Sequence, residues 1–317
     1  AIDARGADCT ETLAKVDSVF TDPGRPKNPQ FRGYLPPHSI TLEFDGLNAA
    51  ASNLLVLTGW LQYGDAGVNI AVSQSPRSEV VMPSLQAIRS DGSAVEVEVV
   101  VGMPAGKTKT ITVDLGGKLP EDTAALQLTT TFEIRWDRIA LFQRAPESSM
   151  RLTYLELDTA DLHFHGFGDI YPHVPNGPYT PDYADPSSTP PWQIGMRGWC
   201  TRYGDVGALL TSANNEYVIL NSGDEVTLSF DGTSLPQLPP GWVRELFFYS
   251  VGWDKDMDHN IRAGETVEPL PQLGMDDQAY GVNDSPTAPE LAPWNAEYNT
   301  RFVPSDRFLN EPNGPRP

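Results

Sequence analysis

Apolar and polar side chains alternate over many short stretches of this chain, and most of those stretches stop at a turn signal. Residues 40–46 (ITLEFDG) and 226–232 (VTLSFDG) are the clearest. Each alternates and then halts at Asp-Gly, the pattern of a half-buried strand running into a tight turn. Residues 54–60 (LLVLTGW), 246–253 (LFFYSVGW), 111–117 (ITVDLGG) and 126–136 (LQLTTTFEIRW) have the same character. Further strand candidates lie at 68–74, 85–90, 95–102 and 150–167, and Ser90-Asp91-Gly92-Ser93 reads as a hairpin turn. Helical periodicity is scarce. Thr12–Val19 and Val206–Ser212 are the best short helices, each following an Asp able to cap a first turn.

The order of these segments repeats. The strand at 40–46 is followed by 54–60, ending at Trp60, and the strand at 226–232 is followed by 246–253, ending at Trp253. Upstream, 5–13 (RGADCTETL) resembles 202–210 (RYGDVGALL). Ordered matches at similar offsets predict an internal duplication. The expected fold is therefore mostly β: duplicated, jelly-roll-like β-sandwich units joined by a Pro-rich linker, with an extended C-terminal tail. On this basis residues 1–170 form the first unit and 171–196 the linker. Residues 197–275 form a second, shorter β unit related to the first, and 276–317 the Pro/Asn-rich tail. The second unit has few strand candidates of its own, so it is expected to borrow strands from the first half. Trp294, Tyr298 and Phe302 suggest that the tail lies across another surface.

Composition sharpens this. Twenty-seven Gly and 29 Pro in 317 residues favour turns over helices, and 39% apolar residues are enough for real cores. A formal net charge of −20 disfavours nucleic acid and anionic lipid as partners. No apolar run reaches the ~18 residues of a membrane helix, so membrane insertion is not expected. The first residue is Ala1, which a cleaved export signal explains, as does any other trimming. Cys9 and Cys200 are candidates for one disulfide in an oxidising compartment, or for two free buried thiols.

Two segments carry metal-ligand chemistry. In residues 254–265, Asp254, Asp256, Asp258 and Asn260 fall at positions 1, 3, 5 and 7 of a calcium-loop pattern, and Glu265 falls at position 12. His259 replaces the usual Gly at position 6, and a strand candidate, not a helix, precedes the loop. In residues 161–165, Asp161, His163 and His165 share one face if the segment is a strand, and His173 is close enough in sequence to add a ligand for zinc, copper or iron. Trp192, Trp199, Trp242 and Trp294 stand in loop-like contexts and are candidates for a ligand or partner surface. Nucleophile elbows, phosphate loops and dinucleotide fingerprints do not occur, so catalysis finds little support.

Several motifs, taken together and in this order, carry a family resemblance: GWLQYGD (59–65), RWDRIAL (135–141), TRYGDV (201–206), GDEVTLSFD (223–231), LPPGWVRELFFYSVGWDKDMD (238–258), TVEPLP (266–271) and YNTR (298–301). The set resembles the C-terminal region of large bacterial secreted proteins that carry FG-GAP/VCBS repeats and an ASPIC/UnbV segment. That resemblance implies export, to the periplasm, the cell surface or the medium. It implies no reaction, and the shared part of the acidic loop is its Lys255–Asp258 core. The expected function is a non-catalytic extracytoplasmic binding or assembly module that contacts protein partners or itself at the cell surface. The alternatives are a carbohydrate-binding module, or an accessory subunit of a metal-containing or redox complex. Calcium is the one cofactor expected. If the acidic loop binds it, a chelator lowers the melting temperature and calcium restores it where magnesium does so poorly, by about 2.7 kcal/mol at a hundredfold excess over Kd. A melting curve indifferent to both removes calcium from consideration.

Overall fold

The computed structural model describes residues 1–76, 78–144, 150–189, 196–255, 264–273 and 288–304. Of these, 34% lie in strands and 9% in helices, against roughly 20–25% and 30–35% in ordinary globular chains. The fold is mostly β, with antiparallel pairing in every sheet. The chain divides into two compact units that are not contiguous in sequence. The first comprises Ala1–Ser149 and Ile170–Pro181, the second Met150–Asp169 and Asp182–Pro317.

The first unit contains β1 (Ile2–Asp3), β2 (Tyr34–Leu42), β3 (Asn53–Leu61), α1 (Ala66–Gln74), β4 (Ser84–Arg89), β5 (Ala94–Val97), β6 (Lys109–Asp114), β7 (Thr123–Phe132) and β8 (Ile134–Gln143). One sheet has the order β1-β2-β7-β4-β5 and the other β6-β3-β8. Ile40, Leu42, Leu85 and Leu126 of the first sheet share one buried cluster with Leu55, Leu57, Ile134 and Trp136 of the second. This is a sandwich core, filled from alternate positions of both sheets. The bulge at Thr58/Gly59 depends on glycine, because a Cβ on Gly59 would lie 2.5 Å from the Arg135 carbonyl oxygen. That close approach explains the Thr-Gly-Trp ending of this strand. Asp91 and Gly92 turn the β4–β5 hairpin as expected, with Ser93 N–H donating to Asp91 Oδ1 at 2.8 Å and Gly92 at φ +84°.

Two local expectations are corrected here. Residues 68–74 belong to helix α1 instead of a strand, because the Asp65 side chain accepts from Val68 N–H at 2.8 Å and caps the first turn. Only Val72 of that helix is buried, so its short apolar run carries no strong helical period. Thr12–Val19 forms turns, not a helix; Ser18 sits at φ +63°, outside helical space.

The chain then leaves for the second unit, where it forms β9 (Leu157–Phe164), and comes back as the hairpin β10 (Ile170–Pro172) and β11 (Tyr179–Pro181). Part of the expected linker is thus ordered structure. Its turn is held in the first unit by the Trp60 indole, which donates to the Asn176 carbonyl at 3.0 Å. The second unit continues with β12 (Gly198–Cys200), β13 (Gly204–Asp205), a short 3-10 turn Gly207–Leu210, β14 (Asp224–Phe230), α2 (Ala288–Glu297) and β15 (Arg301–Val303). Its sheets have the orders β13-β9-β14 and β12-β15. The second unit takes a strand, β9, from before residue 170.

The expected equivalence of the two halves is not seen. β2 lies between β1 and β7, whereas β14 pairs with β9 alone among the described residues, and residues 246–253 form no strand. The described part of the tail is a helix and a strand of the second unit. Trp294 and Val303 belong to its buried cluster, together with Leu162, Cys200, Val206 and Ile219.

A buried ion pair ties the tail to β14. The Asp224 carboxylate is fully buried; it accepts from the Arg301 guanidinium, from Tyr203 Oη at 2.8 Å and from Asn221 N–H at 2.7 Å. Arg301 Nε donates to the Thr201 carbonyl at 3.0 Å, and the guanidinium lies 4.3 Å from the Tyr203 ring centroid. Removing either charge strands the other in a low-dielectric site. Arg301→Ala is therefore expected to destabilise the second unit by about 3–5 kcal/mol in urea unfolding. Combining it with Asp224→Leu should cost less than the sum of the two single changes.

Candidate functional site

The second unit carries an imidazole–carboxylate cluster where β9 meets β14. The two strands pair antiparallel, with Glu225 opposite His163, Val226 opposite Leu162 and Thr227 opposite Asp161. Leu162 and Ala160 are buried, at 0% and 2% exposure, so this face of β9 is fixed inward. Asp161 and His163 consequently share the outward face. β9 ends at Phe164, but the chain stays in step because the His165 and Gly166 N–H groups both donate to the Gly223 carbonyl, at 2.8 and 3.1 Å. Gly223 has φ +85°, and a Cβ there would lie 2.6 Å from the Phe164 ring. Glycine is required at this point, and it sets the entry of β14 beneath His165.

The result is a compact group of donors. His163 Nε2 lies 3.2 Å from Glu225 Oε1, and His165 Nδ1 lies 3.3 Å from Glu225 Oε2. On the far side of each ring, His163 Nδ1 lies 3.2 Å from Asp161 Oδ2, and His165 Nε2 lies 3.3 Å from the Tyr183 carbonyl oxygen. One ligand atom from each of His163, His165 and Glu225 falls within 4.8 Å of the others. All three side chains are partly exposed, so the cluster is reachable from solvent.

Of the transition-metal candidates, the structure brings together Asp161, His163 and His165. His173 belongs to the first unit, in the bend just after β10, where its ring packs tilted against Tyr171 at 4.3 Å and Nε2 lies 3.3 Å from the Thr180 carbonyl oxygen. Glu225 was missed. Its alternation with Thr227 and Ser229 marks an outward face, but which histidine it opposes depends on the strand register, which no local pattern encodes.

The calcium candidates fare differently. Asp256, Asp258 and Asn260 lie outside the described residues. Asp254 and Glu265 are exposed, and the Glu265 carbonyl accepts from Arg197 N–H at 3.0 Å. Between them, Lys255 Nζ donates to the carbonyls of Thr266, Val267 and Pro269 at 2.7, 2.9 and 3.1 Å. Burial holds its ammonium below the usual lysine range, against a nearby Glu268 that pulls the other way. Lys255 thus fastens the base of the acidic segment to residues 266–269.

Other candidates separate by burial. Trp294 is 2% exposed and packs 5.5 Å from the Tyr217 ring, so it is core and cannot serve as a surface platform. Trp199 is half exposed and meets Phe302 edge-on at 5.2 Å; Trp242 is 37% exposed; Trp192 lies outside the described residues. The two cysteines are free thiols, not a disulfide. Each is engaged within its own unit: Cys9 Sγ donates to the Ala1 carbonyl at 3.5 Å, and Cys200 Sγ accepts from Asn221 Nδ2 at 3.5 Å.

The first unit contains a cavity of about 230 Å³, lined in part by Asp3, Arg5, Cys9, His38 and Trp136. Burial pushes the Cys9 thiol up and the His38 imidazole down. Both shifts favour neutral groups, the reverse of what a thiolate nucleophile requires.

Residues 243–251 present a long apolar surface. Val243 is 80% exposed, Leu246 79%, Phe247 93% and Tyr249 79%, and the Phe248 ring reaches Phe230 at the end of β14. Just beyond, Trp253 turns inward and packs on Tyr217 at 5.3 Å.

Comparison of the chain with protein-family models, curated proteins and solved structures gave no match. Among the described residues no helix is long and apolar enough to cross a membrane.

Tyr217 offers a pH test of this aromatic cluster. Its hydroxyl donates to the Pro271 carbonyl at 2.7 Å, and burial raises its pKa from 10.0 to about 12. The fold favours the neutral phenol, so this contribution to stability is intact below pH 10 and is lost as the pH rises towards 12. Tyr217→Phe should flatten that alkaline loss, read from melting curves alongside tyrosinate absorbance.

Proposed function

We propose that this chain is a non-catalytic extracytoplasmic assembly module, and that its second unit is completed by a β-strand contact with another copy of the chain. One observation carries this: the exposed segment 243–251 beside the edge strand β14. Val243, Phe247, Phe248, Tyr249 and Val251 are aromatic or β-branched types that favour strands, yet they are in no strand and their side chains are exposed. Exposed apolar surface next to an open sheet edge is the usual mark of a protein contact. Strand addition satisfies the backbone and buries alternate side chains in one step. The extracytoplasmic setting rests on the sequence resemblance alone.

Carbohydrate binding draws on a different observation, the half-exposed pair Trp199 and Phe302. Their rings meet at 66°, which offers a sugar an edge and a face where a flat platform would be expected. Assembly is the better supported of the two.

Charge makes the assembly proposal testable. Two copies at −20 each repel, and that repulsion is screened over about 8 Å at physiological ionic strength. Association driven by apolar strands should therefore strengthen as salt is raised. Light scattering is expected to show concentration-dependent self-association that is lost on changing Phe247→Ser and Tyr249→Ser together. A chain that stays monomeric at all concentrations and salt levels, with amides 243–251 exchanging as fast as open chain, overturns the proposal.

A further inference from the structure

We infer that His163, His165 and Glu225 hold a divalent transition-metal ion, of which zinc is the best fit, with Asp161 and the Tyr183 carbonyl orienting the two imidazoles. The site lies wholly within the second unit and does not depend on the assembly proposal.

Hydrogen-bond accounting carries the inference. All four ring nitrogens of His163 and His165 face oxygen acceptors. His163 places Nε2 against Glu225 and Nδ1 against Asp161; His165 places Nδ1 against Glu225 and Nε2 against the Tyr183 carbonyl. A neutral imidazole has only one N–H to donate. Two neutral rings therefore fall two donors short. One dication resolves the shortage if it sits between the inner nitrogens and the carboxylate. His163 Nε2 and His165 Nδ1 then give their lone pairs to the ion, and Glu225 gives one oxygen or both. The outer nitrogens keep their protons and donate to Asp161 and Tyr183.

That outer arrangement is the one metal-bound histidines adopt, with the second ring N–H given to a carboxylate or a backbone carbonyl. The spacing agrees as well. Bonds of about 2.0–2.1 Å in tetrahedral geometry put neighbouring ligand atoms about 3.3–3.4 Å apart. The two inner nitrogen–oxygen separations, each to a different Glu225 oxygen, are 3.2 and 3.3 Å, and the three ligand atoms lie within 4.8 Å of one another, so the rings close slightly around a bound ion. Two nitrogen donors with a carboxylate suit zinc, cobalt(II), nickel(II) or copper(II) over calcium or magnesium, which prefer all-oxygen sites. Three protein ligands leave a tetrahedral position for water. Two bound protons would satisfy the same acceptors, making a pair of imidazolium rings clamped on one carboxylate, and the experiment separates the two cases.

The experiment is calorimetric titration of the untagged, metal-stripped full chain with zinc, and absorption spectroscopy with cobalt(II) as the reporter ion. One equivalent of zinc should bind, and bound cobalt should show the intense visible bands of a tetrahedral centre. Glu225→Gln, which keeps size but removes the charge and turns one acceptor oxygen into an N–H donor, and His163→Ala should each remove the one-to-one event. Asp161→Asn should weaken it by about 10–100-fold, as loss of an outer partner does. His173→Ala should leave it unchanged, and excess calcium should not displace the ion. Matching metal-free circular dichroism of each variant and the native chain separates lost ligation from lost fold. No saturable binding, or binding that survives Glu225→Gln and His163→Ala together, overturns the inference.

Discussion

The antiparallel pairing of β9 with β14 is the constraint on which the second unit depends. Leu162 and Ala160 commit one face of β9 to the core, and that commitment sets the register. A slip of one residue would turn both inward side chains out and bury a histidine. With the register fixed, three consequences follow from the same few residues. Glu225 is delivered opposite His163. Its neighbour Asp224 is directed to the other face, where Arg301 meets it. Gly223 bends tightly enough for its carbonyl to collect the His165 and Gly166 N–H groups. A polar cluster on the outside and an ion pair on the inside are therefore two sides of one strand entry.

The first unit is held differently. Its two sheets enclose a core with few charged groups, and its stability comes from alternate Leu, Ile, Val and Trp side chains meeting across the sandwich. The second unit has a smaller apolar cluster and relies more on directed contacts. Arg301, Asp224, Tyr203 and Lys255 each bond to two or more partners. Thr201 joins Asn299 and the Ile219 N–H inside the core. Directed contacts of this kind specify one arrangement of loops, at the cost of needing every partner present.

Strands of the first unit were legible where side chains alternate: β3 and β4 fall where that pattern puts them, whereas β2 shares only Ile40–Leu42 with 40–46, and 126–136 is divided between β7 and β8 at Glu133. Local pattern was less informative where tertiary contacts decide. Helix α1 resembles a strand in sequence because its apolar residues lack a clear helical stripe and its cap is a single Asp65 hydrogen bond. Helix α2 contains Pro293 and follows a Pro-rich stretch, so nothing local announced it; Trp294, buried against Tyr217, is what anchors it. Half of the imidazole–carboxylate cluster was visible, since Asp161, His163 and His165 are alternate residues of one strand. Glu225 was not, because cross-strand partners some sixty positions apart in sequence are set by register.

The non-contiguous division of the chain has a consequence for the order in which its parts come into being. During synthesis β9 emerges with the end of the first unit, long before β14 exists to pair with it. The hairpin β10–β11 that belongs to the first unit appears only afterwards. For that interval the residues of β9 lack both of their strand partners, β13 and β14, and lie in a segment whose Met150, Leu152 and Tyr154 stay exposed even in the finished fold. Neither unit can mature as an isolated block read from one end, and cutting the gene near the proline-rich stretch would strip a central strand from one unit while leaving it fused to the other.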